Sequence, residues 1–238
     1  LIPGDPFILK TARAIANRAI SALGRGDLAS IVFTKDNRLP QDFTADRQRL
    51  LAAIRRLDYG FEPGTRVDWQ YGQLRSLDTL KSAVEFLRSV PEFRSMVIWV
   101  TPGIPDAVDA IAPKFAGLGP VDLPGHETDF SLFQSLTRAF GEARASGVPV
   151  YGISPLGLVA ESMPIANPEV FGVARVGFGG IAPREANAMA TMLQQLSLTT
   201  GGHAIVQTNA PADRVGEVFE ENAVHYTIGY DAPRDMID

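Results

Sequence analysis

Short β-branched runs alternating with amphipathic helical stretches constrain this chain more than any other feature. Residues 96 to 100 read MVIWV, the most strand-like string in the sequence, and Thr101-Pro102-Gly103 stops it. Residues 148 to 154 read VPVYGIS, with a helical pattern from Asp129 to Ala145 ahead of them and Gly147 between. The same alternation runs through the rest of the chain. Ile8, Ala12, Ile15, Ala19 and Leu23 recur at helical spacing over residues 8 to 23, and Gly24 and Gly26 close that helix. LASIVF, residues 28 to 33, has the length and composition of a buried strand. Lys35, Asp36 and Asn37 supply a turn, so that Arg38 to Phe43 returns as a hairpin partner, with Pro40 marking an edge. Thr44 stands at an N-cap position with Asp46 in the first turn, ahead of a second helix whose apolar face is Leu50, Leu51, Ile54 and Leu57.

Glu62, Pro63 and Gly64 precede a third helix over about residues 73 to 89, with Leu74, Leu77, Leu80, Val84 and Leu87 inward. Pro183 suits the first turn of a helix running to Thr199, Gly201 and Gly202 close it, and HAIVQ at 203 to 207 reads as a strand. A helix over about 211 to 222 and a strand over 224 to 230 complete the pattern. Two stretches are longer than connections need, 102 to 127 and 155 to 182, and read as functional surface loops. Strands alternating with helices predict an α/β fold with a mostly parallel sheet and helices on both faces. Ligands of such sheets lie beyond the carboxyl ends of the strands, here the loops after Phe33, Val100, Ile153 and Gln207.

Composition narrows the function. With 238 residues, 45% of them apolar and 21% charged, the chain can bury one large core, and one domain over residues 1 to 230 is expected, with 231 to 238 opening an extension. A net charge of −5 provides no basic field for phosphates, which argues against nucleic acid as a partner. No apolar run approaches the roughly 20 residues of a membrane-spanning helix. The absence of cysteine excludes disulfides, thiolate metal ligands and cysteine nucleophiles. The chain opens at Leu1 without a leader pattern, and so reads as a piece of a longer product.

Few residues suggest chemistry by themselves. Gly177-Phe178-Gly179-Gly180-Ile181-Ala182 has the form G-x-G-x-x-A, but no Asp or Glu lies between Glu185 and Asp213 to hold a ribose. Ser154 follows a strand as a hydrolase nucleophile would. Its string, Gly152-Ile153-Ser154-Pro155-Leu156-Gly157, lacks the second glycine of G-x-S-x-G, and Pro155 has no N–H for an oxyanion hole. His126, His203 and His225 show no metal-ligand spacing, and read as structural or solvated, with His126 and His203 the two bases worth inspecting beside Ser154. Glu220 with Glu221, and Asp106 with Asp109, read as solvated faces, and Met189 and Met192 as core filler. Thr65, in a loop just ahead of a helix, can cap that helix or ligate a hard cation.

In their order and spacing these strings resemble the von Willebrand factor A (VWA) domain, and more closely the bacterial VWFA-related family common in acidobacterial genomes. The resemblance is carried by Gly26 to Phe33, by Gln41 to Asp46 with Leu50, by Leu80 to Val90 with Met96 to Gly103, and by Gly147 to Tyr151. Leu196 to Thr200 with Gly201-Gly202, and the closing Tyr226-Thr227-Ile228-Gly229-Tyr230, complete it. It implies a doubly wound sheet whose top carries a metal-ion-dependent adhesion site: D-x-S-x-S after the first strand, a Thr in the second loop, and the Asp of T-D-G after the fourth strand. Here Thr65 is the counterpart of the Thr, Pro102 stands where the Asp would be, and D-x-S-x-S does not occur, so the central strand is expected upstream of Leu1. The site is thus expected to be degenerate, with no cofactor and with Thr65 the one candidate ligand for Mg²⁺ or Ca²⁺.

The resemblance implies a noncatalytic protein-binding module of a secreted or envelope-associated bacterial protein. Its contacts would come from the loops around Thr65, 102 to 127 and 155 to 182, with Phe115, Leu118 and Phe178 as apolar anchors. Two other readings remain open at this point. One is a structural subunit or homo-oligomer whose empty central slot is filled by a strand from a neighbour. The other is an α/β hydrolase or nucleotide-binding enzyme using Ser154 or the glycines of 177 to 182.

Overall fold

The computed structural model describes residues 6–34, 41–57, 66–90, 92–104, 126–158 and 183–223. In chain order its elements are α1 (Pro6–Ala22), β1 (Ala29–Ile31), β2 (Gln41–Thr44), α2 (Arg47–Arg55), α3 (Arg66–Arg88), β3 (Val97–Val100), α4 (His126–Ser146), β4 (Val150–Ile153), α5 (Pro183–Thr199) and α6 (Val215–Ala223). The fold among these residues is mixed α/β, with six helices and two small sheets. β3 and β4 pair in parallel, Val97 opposite Val150 through Val100 opposite Ile153, and a parallel bridge from Ile153 to Ile205 adds the beginning of a third strand. β1 and β2 form a separate antiparallel pair.

Strand alternation decides which helix covers which face of the parallel pair. Val97, Trp99, Val150 and Val206 share one apolar cluster with Leu77, Leu80 and Val84 of α3, Leu136 and Ala139 of α4, and Leu193 and Leu196 of α5. The intervening residues Ile98, Val100, Tyr151, Ile153 and Ile205 meet Ile15 of α1 and Val215 and Val218 of α6 on the other face. Both faces of the pair therefore carry helices, as the alternating pattern predicts. All four residues of β4 are buried. The methionines expected in the core are there, Met192 on the first face and Met189 in a smaller cluster with Ile8 and Leu156.

Three local expectations are corrected. The first is the buried strand at residues 28 to 33, of which only Ala29–Ile31 is strand, all three half-buried, with Leu28 52% and Val32 45% exposed. Its sheet has just two strands, and α1 and α2 cover one side of it through Ala29 and Ile31. The second is the N-cap of α2, which is Asp46 and not Thr44: the carboxylate accepts the N–H groups of Gln48 and Arg49 at 2.9 and 3.2 Å. The Thr44 hydroxyl instead accepts the Asp46 N–H at 3.0 Å, one step further from the helix. A carboxylate is the stronger acceptor for these orphan donors and also complements the helix dipole.

The third is HAIVQ, 203 to 207, which pairs with β4 only at Ile205. Hydroxyls from the end of α5 take the other β4 donors. Ser197 Oγ accepts the Gly152 N–H at 2.9 Å, and Thr200 Oγ1 accepts the Val150 N–H at 3.0 Å. Gly202 then passes so close to β4 that a Cβ there would stand 2.6 Å from the Val150 carbonyl oxygen. Helix and strand are stitched together by side chains where a longer ladder would otherwise run. The strand expected at 224 to 230 lies outside the described residues.

Replacing Ser197 with Ala leaves the Gly152 N–H unpaired in a fully buried place, and is expected to cost about 1–3 kcal/mol. Gly141, exposed within α4 and with open space where a Cβ would go, is the opposite case. Gly141→Ala should add about 0.5–1 kcal/mol through helix propensity. Urea unfolding of the two variants against the parent checks both signs.

Candidate functional site

The carboxyl ends of the parallel strands are closed by their own side chains. Thr101 is buried, and its Oγ1 accepts the Gly103 N–H at 3.3 Å. Pro102 is buried as well. Gly103, with φ of +110°, lies against α5 so closely that a Cβ would be 2.7 Å from the Met189 carbonyl oxygen, which is why a glycine must follow the proline here. After β4 the Ser154 N–H donates to the Ile205 carbonyl at 2.9 Å, and Ser154 Oγ accepts the Leu156 N–H at 3.4 Å. On the neighbouring turn Gln207 holds a positive φ of 51°, and its Nε2 donates to Asn187 Oδ1 at 3.0 Å. Asn209 Oδ1 accepts the Leu158 N–H at 3.0 Å. None of residues 101–104, 154–158 and 207–210 is ionisable, so the described part of this rim holds no carboxylate.

Most residues singled out in the sequence fall elsewhere. Thr65, Asp106, Asp109, Phe115, Leu118, residues 177 to 182 and His225 lie outside the described residues. His126 opens α4. Among the described residues, no group of three or more His, Asp or Glu side chains is gathered to hold a metal ion. Ser154 is 5% exposed, and His203 engages acidic partners on α6 instead of the serine.

His203 is where the structure goes beyond the sequence. Its Nδ1 pairs with Glu221, its Nε2 faces Glu217 at 4.0 Å, and the ring stands edge-on to Tyr151 with centroids 5.4 Å apart. Glu217 also accepts from Arg214 through both carboxylate oxygens, at 2.9 and 2.8 Å. That bidentate pair holds the Glu217 carboxyl below the usual carboxylate range and raises the Arg214 guanidinium. Burial pushes the Tyr151 hydroxyl up, Glu221 adds to the rise, and Arg94 opposes it. Glu220 and Glu221 are both exposed, as the solvated-face reading expects, and Glu221 is in addition the partner of a histidine. The sequence signal was available in the Glu217, Glu221 spacing of four, which puts both carboxylates on one side of a helix.

A second feature is open backbone. Val97 and Thr101 donate to the Pro149 and Ile153 carbonyls at 3.0 and 3.1 Å, so the alternate residues Ile98 and Val100 present their N–H and C=O groups to the opposite edge. Among the described residues no strand pairs there, and none pairs with the outer edge of β1. Ile15 and Ala19 of α1 belong to the apolar cluster that also takes in Ile98 and Val100, and Ala16 and Ile20 of α1, with Leu23 just after it, belong to the cluster that takes in Ala29 and Ile31. Apolar side chains near the hairpin are exposed too, including Phe43 and Phe86, whose rings stack at 5.6 Å.

The chain matches no protein-family model, no curated protein and no solved structure. The chemistry of the rim yields an expected outcome of its own. A serine-directed phosphonate should leave Ser154 unlabelled, since the hydroxyl is buried and hydrogen-bonded to its own turn. Stoichiometric labelling, lost in Ser154→Ala, would instead reveal an activated nucleophile.

Proposed function

We propose that this chain is a noncatalytic, VWA-like module of a secreted or envelope-associated bacterial protein, and that it works by binding protein. One observation supports this reading above the others: among the described residues β3, the most strand-like run in the sequence, is hydrogen-bonded along one edge only. An extended segment that paired with both β1 and β3 would satisfy both open edges. It would join the two sheets into one doubly wound sheet in the order β2, β1, added strand, β3, β4. Strand addition of this kind takes affinity from main-chain hydrogen bonds and specificity from alternate side chains. Half-buried Ile98 and Val100 and exposed Leu28 and Val32 favour an apolar, uncharged strand in that place. The stretches that the sequence marks as surface loops, 102 to 127 and 155 to 182, are the second contact region in this reading, although residues 126 and 127 belong to α4. The adhesion site is degenerate in it, with Pro102 at the acidic position and Thr65 the residual ligand.

Sedimentation velocity from low to high micromolar concentration, paired with hydrogen exchange, tests the reading. Association through the open edge slows exchange at the Ile98 and Val100 amides, and Val32→Lys weakens it by placing a charge beside β1. Association that leaves those amides unchanged would put the interface elsewhere, and a chain that stays monomeric throughout counts against self-completion. A thermal melt in EDTA, then in excess Mg²⁺, Ca²⁺ or Mn²⁺, tests the metal side. The expected midpoint is the same in all, because a cation bound only to the folded chain would raise it by mass action. A clear rise would establish a working cation site.

A further inference from the structure

We propose that His203 is a protonation-operated clamp that holds the C-terminal half of α6 against the parallel strands. The imidazole lies between two carboxylates of one helix, Glu221 on Nδ1 and Glu217 on the Nε2 side at 4.0 Å. Nε2 is buried and has no hydrogen-bond partner, and Nδ1 is already engaged. A neutral imidazole carries one N–H and can serve one carboxylate; only the imidazolium offers a donor and a positive charge to both. The ring cannot easily turn away, because buried Tyr151 of β4 stands against it edge-on.

The charged and titratable groups that the described residues bring to this place enter the balance. α6 contributes Glu217 and Glu221, Arg214 just ahead of it neutralises Glu217, and β4 contributes the Tyr151 hydroxyl. Arg94, ahead of β3, donates to the Ala223 carbonyl at 3.5 Å and so meets the end of the same helix. With His203 charged, each carboxylate has a cation. Once the imidazole loses its proton, Glu221 keeps no cation in contact among the described residues, and the two carboxylates one turn apart repel. The apolar anchors Val215 and Val218, and Phe219 packed against the same cluster, are untouched by this change. The loss therefore falls on the end of α6 beyond them.

The direction with pH follows from which form makes the contacts. The clamp is complete where the imidazole is protonated and the carboxylates are ionised, and loss of the imidazole proton at higher pH releases it. Backbone hydrogen exchange over residues 219 to 223, corrected for intrinsic rates, is measured at about pH 5.5 and about pH 8. Protection in the parent should fall by about two- to fivefold at the higher pH, the size expected of a half-exposed ion pair. His203→Gln should show the same low protection at both values. An equal drop in His203→Gln, or no drop in the parent, overturns the clamp. Should His203→Gln fail to fold, the imidazole NMR titrations decide. One of the three histidine curves must move when Glu221 is replaced by Gln, and three unmoved curves overturn the proposal.

Discussion

The burial of β4 on both faces is the constraint from which the rest of the structure follows. A strand with no exposed side must be apolar in both registers and must pair every backbone donor, since an orphan N–H there costs on the order of 1–3 kcal/mol. Val150, Tyr151, Gly152 and Ile153 meet the first demand with two aliphatic side chains, one aromatic ring and one gap. The gap at Gly152 is where α5 comes close enough for Ser197 to reach the strand backbone. Pairing with β3 meets the second demand on one edge, and the other edge is shared between Ile205 and the hydroxyls of Ser197 and Thr200. The helices then have fixed places, α3, α4 and α5 on one side and α1 and α6 on the other.

Elements whose periodicity is strong were legible in the sequence, because one burial direction dictates one residue pattern. The helix from Pro183 to Thr199 begins and ends where proline and the paired glycines put it, and MVIWV is β3. The hairpin, too, was legible, with its second strand at Gln41–Thr44. What pattern could not supply was the burial of β1, because a β-branched run looks the same whether or not a neighbour covers it. Nor could it reveal that α5 would use hydroxyls to take donors from β4 and shorten the third strand to a bridge. That outcome depends on the third dimension, in which residues 197 and 150 to 152 become neighbours.

The same reasoning separates what was readable in the candidate site. That Pro102 offers no side-chain oxygen is visible in one dimension, and its neighbours in the fold, Thr101 and Gly103, turn inward on each other and on α5. His203 and Glu221 are eighteen residues apart, and only the return of α6 over the strands brings them together. A histidine is ambiguous by itself, since its neighbours decide whether it carries charge. Glu217 and Glu221 at a spacing of four were half of the signal, and the other half came from topology.

The hairpin is attached to the rest of the molecule in an unusual way. β1 and β2 share no backbone hydrogen bond with the parallel strands among the described residues. Their apolar contacts run to α1 and α2, with the Phe43 and Phe86 ring pair as a further link to α3. Cooperativity in a sheet protein travels best along its ladders, and here the ladder is interrupted. The hairpin with α2 is therefore the natural candidate for a separate foldon, able to open at a cost below that of global unfolding while β3 and β4 remain intact. Its opening would be limited by how firmly α1 grips both halves, which makes α1 the hinge pin of the molecule as well as a part of its core.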